Sequence, residues 1–169
     1  MDVVAETQRL ILRKLTLDDA ESFYRLNGNP EVVRYTGNKA FDSIESARSF
    51  LGNYIDYESH GYGRWAVIHN EDGRFLGWCG LKWHQAGFVD LGYRFFQEEW
   101  GHGYATESAQ ASLDLGFGTF ALDEIIGRVA PGNEASIRVL EKLGMTYWKK
   151  DICGGFERAL YYRISRDAH

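Results

Sequence analysis

Apolar and polar positions alternate along this chain with two different periods, and the changes of period mark its elements. Residues 9–14 (RLILRK) read as a short strand. Thr16 offers a helix N-cap with Asp19 three residues on, opening a helix to about Leu26 that the Asn27-Gly28-Asn29-Pro30 turn ends. Asp42 with Glu45 three positions later marks a second helix, in which Ile44, Ala47, Leu51, Tyr54 and Ile55 recur at helical spacing. Three runs rich in β-branched and aromatic residues follow, at 64–69 (RWAVIH), 75–83 (FLGWCGLKW) and 88–96 (FVDLGYRFF). Glu71-Asp72-Gly73 and Gln85-Ala86-Gly87 separate them, which predicts an antiparallel meander. A third helix carries Ala105, Ala109, Leu113 and Phe117 on one face and stops at Gly118. A strand at 124–130, a helix at 133–143 closed by Gly144, and strands at 147–152 and 156–165 complete the chain. The order β-α-α-β-β-β-α-β-α-β-β predicts an α+β fold, a mainly antiparallel seven-stranded sheet with helices on both faces.

Composition narrows the class. The chain has 169 residues with 44% hydrophobic and 25% charged, no linker and no repeat, so a single domain over 1–169 is expected. A net charge of −5 argues against a broad basic surface for nucleic acid. Two cysteines, Cys79 and Cys153, lie in strand-like segments with no CxxC, and the five histidines are scattered. No metal site is expected from that spacing, and the cysteines read as small buried hydrophobes. Acidic residues near the start and no apolar run of the roughly 18–20 residues a membrane span needs make a cytoplasmic protein the expectation. Aromatics reach 15%, and much of that Tyr, Phe and Trp must sit in the core or line a pocket. Oligomeric state is left at monomer or homodimer.

The chemistry concentrates in two segments. Trp100-Gly101-His102-Gly103-Tyr104-Ala105-Thr106-Glu107 leaves a strand and opens a helix. Glycines there let the backbone approach a ligand, and the first helical N–H groups have no partner within the helix. A pyrophosphate would fit such a loop without any lysine. The dinucleotide-binding pattern G-x-G-x-x-G fails, because its third glycine is Thr106 and the segment follows a meander rather than a first parallel strand. The second segment runs Asn133-Glu-Ala-Ser136-Ile-Arg-Val-Leu-Glu-Lys-Leu-Gly144-Met145. Asn133 is a good N-cap and Gly144-Met145 a Schellman-like stop, whereas Ser136 in the first turn is explained by neither.

Together these segments resemble the GNAT superfamily of N-acetyltransferases, in particular its ribosomal-protein N-acetyltransferase branch. The signature [QR]-x-x-G-x-[GA] is met by Gly103 and Ala105, with Trp100 in the first place, as in the W-G-x-G-Y-A-T-E spelling common in that branch. N-x-x-S followed by V-L-E-K-x-G-M is similar to its second CoA motif, and the likeness covers nearly the whole chain. The resemblance implies acetyl transfer from acetyl-CoA to a primary amine, on a protein N-terminus or a small molecule, without a metal. It implies that the pantetheine arm runs between the fourth and fifth expected strands, 88–96 and 124–130, pairing with backbone near Phe95 and Phe96. The pyrophosphate would rest on Gly101, His102, Gly103, Tyr104, Ala105 and Thr106, with Asn133 and Ser136 toward the thioester.

Direct attack then needs a neutral amine, an oxyanion donor and a proton donor at the leaving sulfur. Asp90 is the first candidate base, matching a glutamate of some relatives, with Glu98, Glu99 and His84 behind it. The tyrosine that many members carry seven residues after the Asn is Leu140 here, so Ser136 is the substitute donor, with Tyr93 and Tyr104 as further candidates. The acceptor pocket is expected between 31–41 and 151–157, with Tyr35, Trp65 and Trp83 as candidate lining. A module that binds acyl-CoA without turnover is the competing class, favoured by Leu140 in the tyrosine's place and by the lack of a single base.

Overall fold

The protein is described by a computed structural model covering residues 2–153 and 155–169. Strands β1 (Val3–Glu6), β2 (Leu10–Lys14), β3 (Arg64–His69), β4 (Phe75–His84), β5 (Phe88–Phe95), β6 (Glu124–Val129), β7 (Thr146–Cys153) and β8 (Phe156–Ser165) form one sheet in the order β1-β2-β3-β4-β5-β6-β8-β7. Eight strands replace the seven expected. The added β1 is four residues long and never fully buried, and it exists through its pairing with β2 (Ala5 opposite Leu12), which no local pattern announces.

All neighbouring strands run antiparallel except β5 and β6, which are parallel. The chain between them is long enough to hold a crossover helix, as a parallel pair requires. That helix, the 14-residue Tyr104–Phe117, lies on β4 and β5. Its small Ala109, Ser112 and Gly116 let it sit close, and a Cβ at Gly116 would meet Ile125 Cδ1 at 2.6 Å. Helix Glu134–Lys142 packs on the same face. The opposite face carries the helices Ala20–Asn27, Pro30–Val33 and Ile44–Gly52, while the short Asp56–His60 helix packs Tyr57 against the main core cluster. In chain order these are α1 (Ala20–Asn27), α2 (Pro30–Val33), α3 (Ile44–Gly52), α4 (Asp56–His60), α5 (Tyr104–Phe117) and α6 (Glu134–Lys142).

Capping explains most boundaries and corrects one. Asn133 Oδ1 accepts from Ser136 N–H (3.4 Å) at the start of α6, and Met145 N–H returns to the Leu140 carbonyl (3.1 Å) past Gly144, closing the expected Schellman stop. The second expected helix is capped by Ser43 rather than Asp42, since Ser43 Oγ accepts from Ser46 N–H at 3.1 Å. Its apolar run then breaks after Gly52, so Tyr54 and Ile55 fall outside it. Among the described residues no helix is long and apolar enough to cross a membrane, and no group of three or more His, Cys, Asp or Glu could hold a metal. Cys79 is buried and Cys153 half-buried, both free.

Candidate active site

The sheet opens where β5 and β6 meet. Their pairing lasts only from Asp90 opposite Ile126 to Leu91 opposite Gly127, after which the strands diverge. Alternate residues of β5 turn their backbone groups to alternate sides. Phe96 N–H reaches the Leu76 carbonyl beside β4 (3.1 Å), so the peptide groups of Tyr93 and Phe95 face the opening. The Phe95 carbonyl is taken by the Trp100 indole N–H (3.0 Å), which ties the following loop to the strand end. Phe96 is a correction to the expected pantetheine contacts: its N–H is committed, and its ring packs with Leu26 and Val32 on the far side.

A cleft of about 980 Å³ runs through this opening and is lined from both faces of the sheet. At one end stand Gly101, Gly103, Tyr104, Ala105 and Thr106. Gly103 has φ +82 and Gly101 φ +81, a backbone that turns the chain into α5 and that side chains with a Cβ resist. Glu107 N–H is the first to find a helical acceptor, the Gly103 carbonyl (3.0 Å), leaving the amides before it pointed out of the helix. His102 does not line the cleft; its carbonyl accepts from Arg9 Nη1 (2.9 Å). Arg9 also donates from Nε to Glu107 (2.7 Å), whose second oxygen accepts from Thr7 Oγ1 (2.5 Å). This brace turns the Glu107 charge away from the helix N-terminus, and burial notwithstanding, Thr7 and Arg9 hold its carboxyl below the ordinary range.

Midway, the hydroxyls of Tyr93 and Ser136 share a hydrogen bond of 2.9 Å. Burial pushes the Tyr93 phenol up to about 12 against the opposing pull of Ser136. Leu140 closes over Gly127, where a Cβ would meet its Cδ1 at 2.9 Å, so α6 lies tight on β6 and presents Ser136 to Tyr93. Tyr104 stands elsewhere, its ring under Arg9 and edge-on to His69.

The other half of the cleft is built on arginines. Asp90 is 4% exposed, and Arg128 grips its Oδ2 through Nε (3.2 Å) and Nη2 (2.9 Å). Arg64 Nη2 stands 3.0 Å from Oδ1, with no N–H aimed along that contact, and His84 Nε2 lies 3.1 Å from Oδ2. Burial alone would raise the Asp90 carboxyl, but Arg64, His84 and Arg128 outweigh it and hold it well below the usual range. A carboxylate so held is a poor proton acceptor, which counts against Asp90 as the base. Of the other candidates, Glu98 is exposed and Glu99 is paired with Arg74 (3.1 Å). Room for Arg64 comes from Gly92, since a Cβ there would meet Nη2 at 2.8 Å. Arg64 and Arg94 each lie 5.3 Å from the Trp78 ring centre. Of the expected acceptor aromatics, Tyr35 lines the cleft, Trp65 is core packed on Phe120, and Trp83 stacks on His60 away from it. Cys153 is the part of 151–157 that reaches the cleft; Gly154 lies outside the described residues.

Arg64, Arg94, Arg128, Trp78 and Arg9 were not singled out from sequence. A signal existed for the first three. Each is a charge inside an apolar strand run (RWAVIH, LGYRFF, EIIGRVA), and a charge in such a place is rarely buried without a partner or a task.

Comparison with known proteins shows the family and the fold. The family model described as "Acetyltransferase (GNAT) domain" matches residues 9–146. An uncharacterized N-acetyltransferase, p20, of Bacillus licheniformis is 31% identical over 156 residues, covering 90% of this chain and 86% of that protein. The crystal structure of a GNAT-family acetyltransferase from Bacillus anthracis superposes with a TM-score of 0.80 at 31% identity, covering 99% of each chain. Spermidine N-acetyltransferase from Vibrio cholerae, solved with CoA and spermine, shares the fold with a TM-score of 0.82 at 19% identity, over 96% of this chain and 98% of that one.

Proposed function

This chain belongs to the GNAT acetyltransferases, and on that premise we propose that it acts as one cytoplasmic domain that acetylates a primary amine by direct attack on acetyl-CoA. The observation that carries this reading is the opening between β5 and β6, with free helix amides at one end and the Tyr93–Ser136 pair at its middle. Bound acetyl-CoA would supply the acyl group as a thioester; the remaining tasks fall to the chain. The N–H groups from Gly103 to Thr106 suit the anionic phosphates, and the nearby carboxylates are paired, Glu107 with Arg9 and Thr7 and Glu99 with Arg74. The peptide groups of Tyr93 and Phe95 offer donors along the arm and at the thioester carbonyl.

At the reacting centre the amine nitrogen bonds to the acyl carbon, the C–S bond breaks, and an amine proton is finally balanced by one taken up at sulfur. Tyr93 keeps its proton at every working pH, so it serves as a standing donor to the departing thiolate. Outright transfer to a thiol of ordinary acidity would run roughly 3 units uphill, so the hydrogen bond is the contribution and solvent completes the protonation. The amine must arrive neutral. Arg64, Arg94 and Arg128 outnumber Asp90 beside it, and like charge disfavours an ammonium ion, so the amine sheds its proton to water on entering.

Thiol release from acetyl-CoA with a panel of amines and N-terminal peptides tests the reading. Release with at least one class is expected, and none with any amine from folded protein would overturn it. Tyr93→Phe should slow single-turnover acetyl transfer about 10–100-fold, the worth of one hydrogen bond to a charged group, and leave the acetyl-CoA dissociation constant within about twofold. Ser136→Ala, which removes the partner that orients Tyr93, should slow it less. Rate and affinity falling together would reduce both hydroxyls to CoA contacts.

A further inference from the structure

We propose that the acceptor carries an anionic group, a carboxylate or a phosphate on the same molecule as its amine, and that Arg94 binds that group. The inference rests on the acetyl-transfer reading and names its substrate class. Three guanidiniums, Arg64, Arg94 and Arg128, line the acceptor half of the cleft. Asp90 is the carboxylate among them, and it is spent on Arg64, Arg128 and His84. Among the described residues Arg94 has no carboxylate partner; its contacts are Asn27 Oδ1 at 2.5 Å from Nη1, Asn38 Oδ1 at 2.7 Å from Nη2 and the face of Trp78. These asparagines orient the fork without neutralising it, and its Nε–H is buried with no acceptor.

Burial, and then the charge of Arg64, lower the Arg94 guanidinium to about 10, a cost that no carboxylate offsets among the described residues. A half-buried cation without a counter-charge is unfavourable, and an oxyanion able to accept two N–H donors side by side, a carboxylate or a phosphate, fits such a fork. Arg34 and Lys39, from the loop over this half, add positive charge at the rim, and Glu31 is the carboxylate there. A polyamine would meet repulsion in this half, whereas an amino acid would not.

Position sets the sides on which the two groups lie. Arg94 follows Tyr93 directly on β5, so one side chain faces the acceptor half while its neighbour faces the reacting centre. An anion on Arg94 therefore lies on the acceptor side of β5 with its amine reaching into the opening, and glycine and O-phosphoethanolamine are short probes of that reach.

The test compares glycine with glycinamide, O-phosphoethanolamine with ethanolamine, and spermidine with all four, in steady-state acetylation by the full-length protein. At least one acid is expected to exceed its neutral counterpart in kcat/KM by about 100-fold, and the pair that does so tells carboxylate from phosphate. Arg94→Gln should shrink that ratio to within about threefold while acetyl-CoA still binds. Acid and neutral forms used equally by the wild-type protein, or spermidine preferred, would overturn the proposal, and these results need no variant to fold. Heat stabilisation by glycine or O-phosphoethanolamine, read without acetyl-CoA and lost in Arg94→Gln, separates the cases. Stabilisation without thiol release from any amine would sink acetyl transfer and keep the anion site. Acetylation of neutral amines without stabilisation would do the reverse.

Discussion

Gly103→Val is expected to weaken acetyl-CoA binding by about 100-fold or more while the domain stays folded. At φ +82 a β-branched residue is strained by roughly 1–3 kcal/mol, and the loop relieves that strain by rotating its peptide groups. A Cβ at this position meets only Arg9 Nη2, at 3.4 Å, so no core contact is lost and the damage is confined to the loop. The amides it presents make charge-assisted hydrogen bonds to phosphate, each worth about 1.5–3 kcal/mol. Turning two of them aside removes about 3 kcal/mol or more, which is the stated factor. Calorimetric titration of acetyl-CoA into the variant measures it, with thermal unfolding as the check on integrity. Unchanged affinity would reduce the segment to a tight turn.

Asp90→Asn is expected to cost about 3–5 kcal/mol of stability, because it leaves Arg64 and Arg128 buried without their counter-charge. The sign of the pH dependence follows from the depressed carboxyl. An unfolded Asp titrates near 3.9 and the folded Asp90 well below it, so the pair stabilises fully above about pH 5. That contribution is lost as pH falls below the unfolded value toward the folded one. Wild-type protein should therefore lose stability steeply in acid below about pH 4, and the variant should show a shallower loss over the same range. Urea titrations at several pH values measure both curves. A base would behave oppositely: turnover falling about 10²–10⁴-fold with stability intact. That result would return Asp90 to the role its place on the strand first suggested.

The loop and the two ends of α6 were legible in the sequence because their causes are local. Gly101 and Gly103 are required where they stand by backbone sterics at a strand-to-helix turn, and Asn133 and Gly144 cap a helix within one turn of themselves. The meander is equally local, since Gly73 and Gly87, both at positive φ, set its two reversals. Strand β1 was not legible: four half-exposed residues become a strand only when β2 offers its edge.

The roles of Asp90 and Ser136 divide along the same line. Both were singled out by position, but a carboxylate is a base or an anchor according to what surrounds it. Asp90's surroundings come from three other strands, with Arg64 on β3, His84 on β4 and Arg128 on β6. Ser136 likewise gains Tyr93 from 43 residues away. Turn chemistry, capping and hydrophobic period act over a few residues, so the sequence by itself determined most of the elements, their order and the glycine loop that opens α5. Charge compensation, the opening between β5 and β6, and the arginine-lined half of the cleft arise from contacts between strands remote in the chain, and only the tertiary structure decided them.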